Sequence, residues 1–336
     1  MNVKKQGNTK KWLVDDLRQA TGNPNIAFPS KGIIATKFGD LIQLHLSSGA
    51  VADANMQADS AAFEAWALCI RRWLPTYKIE LSWDKPDASE RQHYQRFLFR
   101  VFNFVHLFGD WVCLREGLIE SIQKEAKFIS VRGNLFVNSP NKLRPLEIGT
   151  SKKIGIDILS ENDLEILFAG RYAAKLLTPL SISDPEIVCR QIPVGLFDGP
   201  PAGGKEIFTG KKSAIDLVAY VEDRREVICW ELKKPGNKKM GIISESLFYA
   251  FFVREIAKGK FKLYEPDWCQ RNFKLGNISM ATQVTTYLLV HDIHSLIDDK
   301  LVEVINEAFG RLDPRSPRMK LGIMQYDKNF ACRIVY

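Results

Sequence analysis

Polar and apolar residues follow two different periods along this chain, and the changes of period mark out the elements. Short apolar-rich runs near Gly32–Thr36 and over Leu41–Leu46 predict strands. Ser60–Trp73 carries a helical pattern that ends before Pro75, and Lys78–Trp83 returns to strand. A long aromatic helix is predicted over Ser89–Phe108. Phe128–Val131 and Leu135–Val137 flank Arg132-Gly-Asn134 and predict a hairpin. In the second half, Leu164, Leu167, Phe168, Tyr172 and Leu176 form one stripe of a helix over Ser160–Leu177. Strands are predicted at Ile187–Val194, Ala214–Val221, Val227–Lys233, Thr285–Val290 and Leu321–Tyr326, with helices over Ile242–Ile256 and His294–Ala308.

Between the halves lies a stretch rich in Pro, Gly, Ser and Lys, from Asn138 through Pro145 to Gly155. Such residues punctuate elements, so a boundary is placed near residue 150. The expectation is an α/β protein with an N-terminal α+β domain over 1–150 and a domain with a mixed central sheet flanked by helices over 151–336. The N-terminal domain is assigned recognition of substrate or partner.

Composition narrows the class. At 46% hydrophobic and 26% charged residues, the chain has ample material for a core and resembles an ordinary globular protein. The longest apolar stretch, Phe97–Val112, is broken by Arg100, Asn103, His106 and Asp110, so no membrane span is expected. The start, MNVKKQGNTKKW, has lysines without a following apolar segment and does not read as a secretory leader. The six cysteines form no Cys-x-x-Cys pair, which argues against zinc and for reduced thiols in a cytoplasmic protein. A formal charge of +8 favours a polyanionic partner.

The candidate chemistry lies on two strands. In Ala-Ile-Asp-Leu-Val-Ala-Tyr, Asp216 shares a face with Val218 and Tyr220. In Val-Ile-Cys-Trp-Glu-Leu-Lys, Glu231 and Lys233 share a face with Val227 and Cys229. Both runs are otherwise nearly continuous apolar sequence, where a charge is costly unless paired or bound to a metal. The connection is Glu222-Asp-Arg-Arg225. A two-residue loop with Glu222 opposite Arg225, or a symmetric four-residue loop, gives the same register. Either one sets Asp216 opposite Glu231, with Cβ atoms about 5 Å apart. Carboxylates that close repel unless a divalent cation lies between them. Hard oxygen ligands in small number suit Mg²⁺, with Mn²⁺ as a substitute. Lys233 points the same way and is placed to orient water or stabilise charge on a phosphate.

An acidic residue on one strand followed by Glu-x-Lys on the next resembles the signature of the PD-(D/E)XK nuclease superfamily. The resemblance rests on Ile215-Asp216-Leu217 and Glu231-Leu232-Lys233 and extends over roughly residues 160–292. It implies a restriction-endonuclease-like sheet and Mg²⁺-dependent hydrolysis of phosphodiesters, in DNA before RNA, as an endonuclease. Glu165, on the helix before the sheet, would join Asp216 and Glu231 as metal ligand, with the Leu232 carbonyl assisting. Glu161 lies one turn earlier on the same side. Members also carry an Arg-Gln-x-Pro-like strand, here Arg190-Gln191-Ile192-Pro193, which makes Gln191 an accessory candidate. The helix after Glu-x-Lys often carries Gln one turn before Tyr. Here Glu245 precedes Tyr249, a departure that either adds a fourth carboxylate or faces solvent.

Other features carry less. Gly199-Pro-Pro-Ala-Gly-Gly-Lys205 has the spacing of a phosphate-binding loop, but Glu206 stands in place of Ser or Thr and two prolines remove backbone donors. His291-Asp-Ile-His294 fits a strand end and helix start. Lys234, Lys238 and Lys239 bracket Pro235-Gly-Asn237 and either form a solvated loop or grip a nucleic-acid backbone. The aromatics Tyr94, Phe97, Phe99, Phe102, Phe104 and Phe108 read as core before base-stacking surface. A nucleic-acid-binding assembly protein with a relic site and an RNA-directed nuclease are the rival functions. A homodimer is one of the oligomeric states left open.

Overall fold

A computed structural model describes residues 11–130, 134–140, 156–208 and 213–336. The chain forms two compact units, each assembled from several stretches of sequence. The first contains residues up to Ala126 together with Lys239–Ser244 and His294–Val304, and the second takes the remainder. The linker expected between the halves lies, from residue 141 to 155, outside the described residues.

In the first unit a four-stranded sheet has the order β1 (Ile33–Phe38), β2 (Leu41–Leu46), β3 (Lys78–Trp83), β4 (Val112–Leu114). β1 and β2 form an antiparallel hairpin, and the other pairings are parallel. Helices Phe63–Trp73 and Arg91–Phe108 supply much of the core. Phe63 meets Phe97 and Phe104 edge-on, each at 5.6 Å between ring centroids, a favourable aromatic geometry. Of the helix's aromatics only Phe102 is half-buried, so this stripe is core. A buried ion pair runs between the two helices, with Arg100 Nε donating to Glu64 Oε1 at 2.7 Å and Nη2 to Oε2 at 2.5 Å.

The strands of the second unit are β5 (Leu135–Val137), β6 (Cys189–Pro193), β7 (Leu196–Asp198), β8 (Glu206–Phe208), β9 (Ala214–Val221), β10 (Glu226–Lys233), β11 (Lys262–Leu263), β12 (Cys269–Gln270), β13 (Phe273–Lys274), β14 (Gln283–Val290), β15 (Arg318–Tyr326) and β16 (Cys332–Ile334). Six make a mixed sheet in the order β16-β15-β14-β10-β9-β6. Its centre, β10-β14-β15, is parallel, and both flanks are antiparallel. One face packs Leu217, Ile228, Trp230, Leu232 and Leu289 against Leu164, Phe168 and Leu176 of the preceding helices. β10 is buried along its whole length, as a central strand covered on both faces must be.

Two expectations are corrected. The helix over Ser160–Leu177 is two helices, Glu161–Ala169 and Ala173–Leu177, broken at Gly170. A Ser160–Asp163 capping box starts the first. Lys127–Ser130 is helical, although the pattern over Phe128–Val131 predicts a strand. Its apolar run is too short for periodicity to separate the two. Of the turn expected next to it, Arg132-Gly-Asn134, residues 132 and 133 lie outside the described residues. The Gly199–Gly204 loop joins β7 to β8, so a strand follows it where a phosphate-binding loop needs a helix.

Candidate functional site

The hairpin β9–β10 sets the geometry. Its connection is the symmetric four-residue loop Glu222–Arg225, with a 3₁₀ turn over Glu222–Arg224 and Arg225 left-handed at φ 47°. Val221 faces Glu226, and the register runs unbroken to Leu217 opposite Trp230. The pairing ends there, one step short of Asp216 and Glu231. There the main-chain ladder opens, and Asp216 Oδ2 accepts the Leu232 N–H at 2.8 Å instead.

The other neighbour of Asp216 is also displaced. β6 pairs with β9 at Cys189–Val218 and Arg190–Leu217 and again at Ile192–Ile215. Gln191, opposite Asp216, is left-handed at φ 59°. A left-handed non-glycine residue costs about 1 kcal/mol or more, and such strain gathers at functional sites. The consequence here is geometric. Adjacent side chains of a regular strand point to opposite faces. Arg190 and Gln191 instead reach one oxygen, Glu165 Oε2, at 3.0 and 2.6 Å. Arg190 also donates to Asn162 Oδ1 at 2.6 Å. The buried Glu165 is thus neutralised and held by β6.

Glu231 and Lys233 are 2% and 1% exposed. Lys233 Nζ donates to Glu231 Oε1 and, at 2.8 Å, to the Leu232 carbonyl. Glu245 Oε2 lies 3.8 Å from the same ammonium. Tyr249 Oη stands 2.9 Å from Glu245 Oε1 and 3.0 Å from the Ala214 carbonyl oxygen, and its single proton serves one of them at a time. Glu245 is therefore part of this cluster and not a solvent-facing residue.

Three acids, Asp216, Glu231 and Glu245, surround one lysine. Burial, with the charges of Glu165 and Glu245, pushes Asp216 up to about 8 against the pull of Lys233. Burial and the charges of Asp216 and Glu245 raise Glu231 well above the carboxylate range. Burial opposes the Lys233 ammonium, but Glu231, Glu245 and Asp216 outweigh it and hold the pKa above its ordinary value. The cluster has more carboxylates than cations to balance them.

No family model, curated protein or solved structure matches the chain.

The loop after Lys233 is tied down from two sides. Asp292 Oδ2 accepts the Gly236 N–H at 3.0 Å, and Glu161 Oε1 accepts from Asn237 Nδ2 at 3.0 Å. That hydrogen bond from Gly236 leads the causes holding Asp292 below the usual carboxylate range. Lys238 Nζ stands 3.9 Å from Asp292 Oδ1, and Lys234 and Lys239 are exposed. His294 Nδ1 accepts the Leu296 N–H, an ordinary chain-turning role.

Within the second unit, then, Asp216, Glu231, Lys233, Glu245, Gln191 and Glu165 come into one region, with Glu161 on its rim. Sequence reasoning missed Arg190, which clamps Glu165, and Asp292, which pins the lysine loop. Arg190 stood in view beside Gln191 and shares a face with its pairing partner Leu217, but its ion pair depends on where the helix Glu161–Ala169 sets Glu165. Among the described residues no group of three or more His, Cys, Asp or Glu stands ready-made to hold a metal ion. Asp216 and Glu231 nevertheless fit a hard divalent cation in chemistry, since they are oxygen donors in one cluster whose raised pKa values show that it holds more carboxyls than cations to balance them.

Proposed function

We propose that the second unit is a divalent-metal-dependent nuclease with a restriction-endonuclease-like sheet, hydrolysing phosphodiester bonds in DNA. The observation that carries this reading is the pair Asp216 and Glu231, set side by side with Lys233 where the ladder opens. Like charges gathered here, with Glu231 buried and Asp216 half-buried, have no evident structural use, because an apolar strand pair would be cheaper. Asp216 and Glu231 would hold the cation, which when bound would polarise a phosphate oxygen and acidify a water.

The chain's own groups have distinct parts. An ammonium kept protonated by surrounding carboxylates cannot take a proton from water. Lys233 therefore acts as a fixed positive charge, placed to stabilise negative charge building on the phosphate. Arg190 and Gln191 hold Glu165 in place, so its charge acts on Asp216 from a fixed position. Lys234 and Lys238, on a loop braced by Asp292 and Glu161, would contact backbone phosphates.

The test is cleavage of plasmid, single-stranded DNA and RNA with Mg²⁺, Mn²⁺ or EDTA, by wild type and Asp216→Asn. Metal-dependent DNA cleavage lost in the variant is the expected result. Binding without cleavage under every metal would favour a relic site, and cleavage of RNA alone would change the substrate.

A further inference from the structure

Resting on the nuclease reading, we propose that Glu245, and not Glu165, is the third carboxylate that takes the divalent cation. The two candidates differ in what already occupies them. Glu165 Oε2 receives hydrogen bonds from both Arg190 and Gln191, and the guanidinium neutralises it. Recruiting it to a metal would take the counter-charge from a buried arginine and leave it only the neutral Asn162 acceptor. Glu245 is in the opposite state. It is 9% exposed, and its Oε2 is buried with no hydrogen-bond partner among the described residues.

The placement of that oxygen gives it a direction. It stands on the Lys233 side of the cluster, 3.8 Å from Nζ and too far for a hydrogen bond. Glu231 Oε1 accepts from the same ammonium, so one lysine stands between two carboxyls and balances the charge of one. The helix Ile242–Ala257 fixes the far side of Glu245, since Tyr249, one turn on, sits 2.9 Å from Oε1. Oε1 is thus the anchored oxygen and Oε2 the available one. Where the resemblance implies glutamine at this place, carboxylate chemistry adds a hard anionic donor that an amide lacks.

The experiment is Mn²⁺ binding to the full-length protein, by calorimetry and by water-proton relaxation of the bound ion. Wild type, Asp216→Asn, Glu245→Gln, Glu245→Asp and Glu165→Gln are compared. The inference expects Glu245→Gln to weaken Mn²⁺ by at least about 100-fold, above the usual effect of an outer residue. Glu245→Asp should fall between, and Glu165→Gln should lose much less. Relaxation at saturating Mn²⁺ should report an added water on the ion in Glu245→Gln. Thermal unfolding in EDTA should show each variant folded. If Glu245→Gln binds like wild type while Asp216→Asn does not, Glu245 is no ligand and the nuclease reading stands. A larger loss in Glu165→Gln than in Glu245→Gln would overturn the inference in the same way. If wild type binds no Mn²⁺, or Asp216→Asn binds as well as wild type, the nuclease reading itself fails.

Discussion

Replacing Asp216 with asparagine isolates the electrostatic character of the cluster without any metal. The amide keeps an oxygen that can accept the Leu232 N–H, so the local geometry has no reason to collapse. What changes is proton linkage. Asp216 rises from an ordinary 3.8 to about 8 on folding. A carboxyl raised by folding binds more protons in the native state across that window. Its contribution is fully present below pH 3.8 and is lost as pH rises through 8. Each pH unit inside the window removes about 1.4 kcal/mol per proton. Between pH 5 and 8 the wild type should therefore lose stability relative to Asp216→Asn, by at most about 1.4 kcal/mol per pH unit and by less where solvent screens the half-buried carboxyl. The assay is urea denaturation in EDTA at four pH values. Near pH 5 the two proteins should have similar stability, and at pH 8 the variant should be the more stable. Parallel pH profiles, or a variant less stable at every pH, would refute the reasoning. Asp216 would then be a structural acceptor whose charge the fold tolerates. Added Mg²⁺ should stabilise wild type at pH 8 and do much less for the variant, as linkage requires.

Three further outcomes follow from other parts of the molecule. Arg100→Met in the first unit leaves Glu64 as a buried, uncompensated acid, and should cost about 3–5 kcal/mol by urea denaturation. A loss under about 1 kcal/mol would mean that water reaches Glu64. A Cβ on Gly322 would stand 2.6 Å from Tyr287 Cε1 and 3.1 Å from the Tyr336 carbonyl oxygen. Tyr287 is itself stacked on Trp230, so Gly322→Ala should lower stability by about 1–3 kcal/mol, and an unchanged denaturation midpoint would contradict the packing described. Finally, DNA binding should weaken steeply with salt. Lys234→Ala with Lys238→Ala should flatten the log–log slope by about two, and an unaltered slope would remove these lysines from the interface.

Local pattern carried a great deal of this protein. β2, β3 and β9 have the bounds the sequence predicts, because each is a short apolar run stopped by turn residues. The β9–β10 register was legible as well, since both expected loops give the same pairing and the side-chain period fixes the face. That arithmetic expects Asp216 opposite Glu231, one step beyond the last pair of the observed ladder, Leu217 with Trp230. The small strands β11, β12 and β13, each two residues long, carry no periodic signal and appear only through their pairing partners. The division into units was equally hidden, because Lys239–Ser244 and His294–Val304 join a body formed mainly by the N-terminal stretch. Only the folded chain decided which carboxylates are occupied. Glu165 and Glu245 look alike in sequence, each an acid within a helix. The left-handed turn at Gln191 brings two donors onto the first, and the Tyr249 contact leaves one oxygen of the second turned toward Lys233. Hydrogen-bond occupancy depends on groups distant in sequence but adjacent in space, and no local period encodes it.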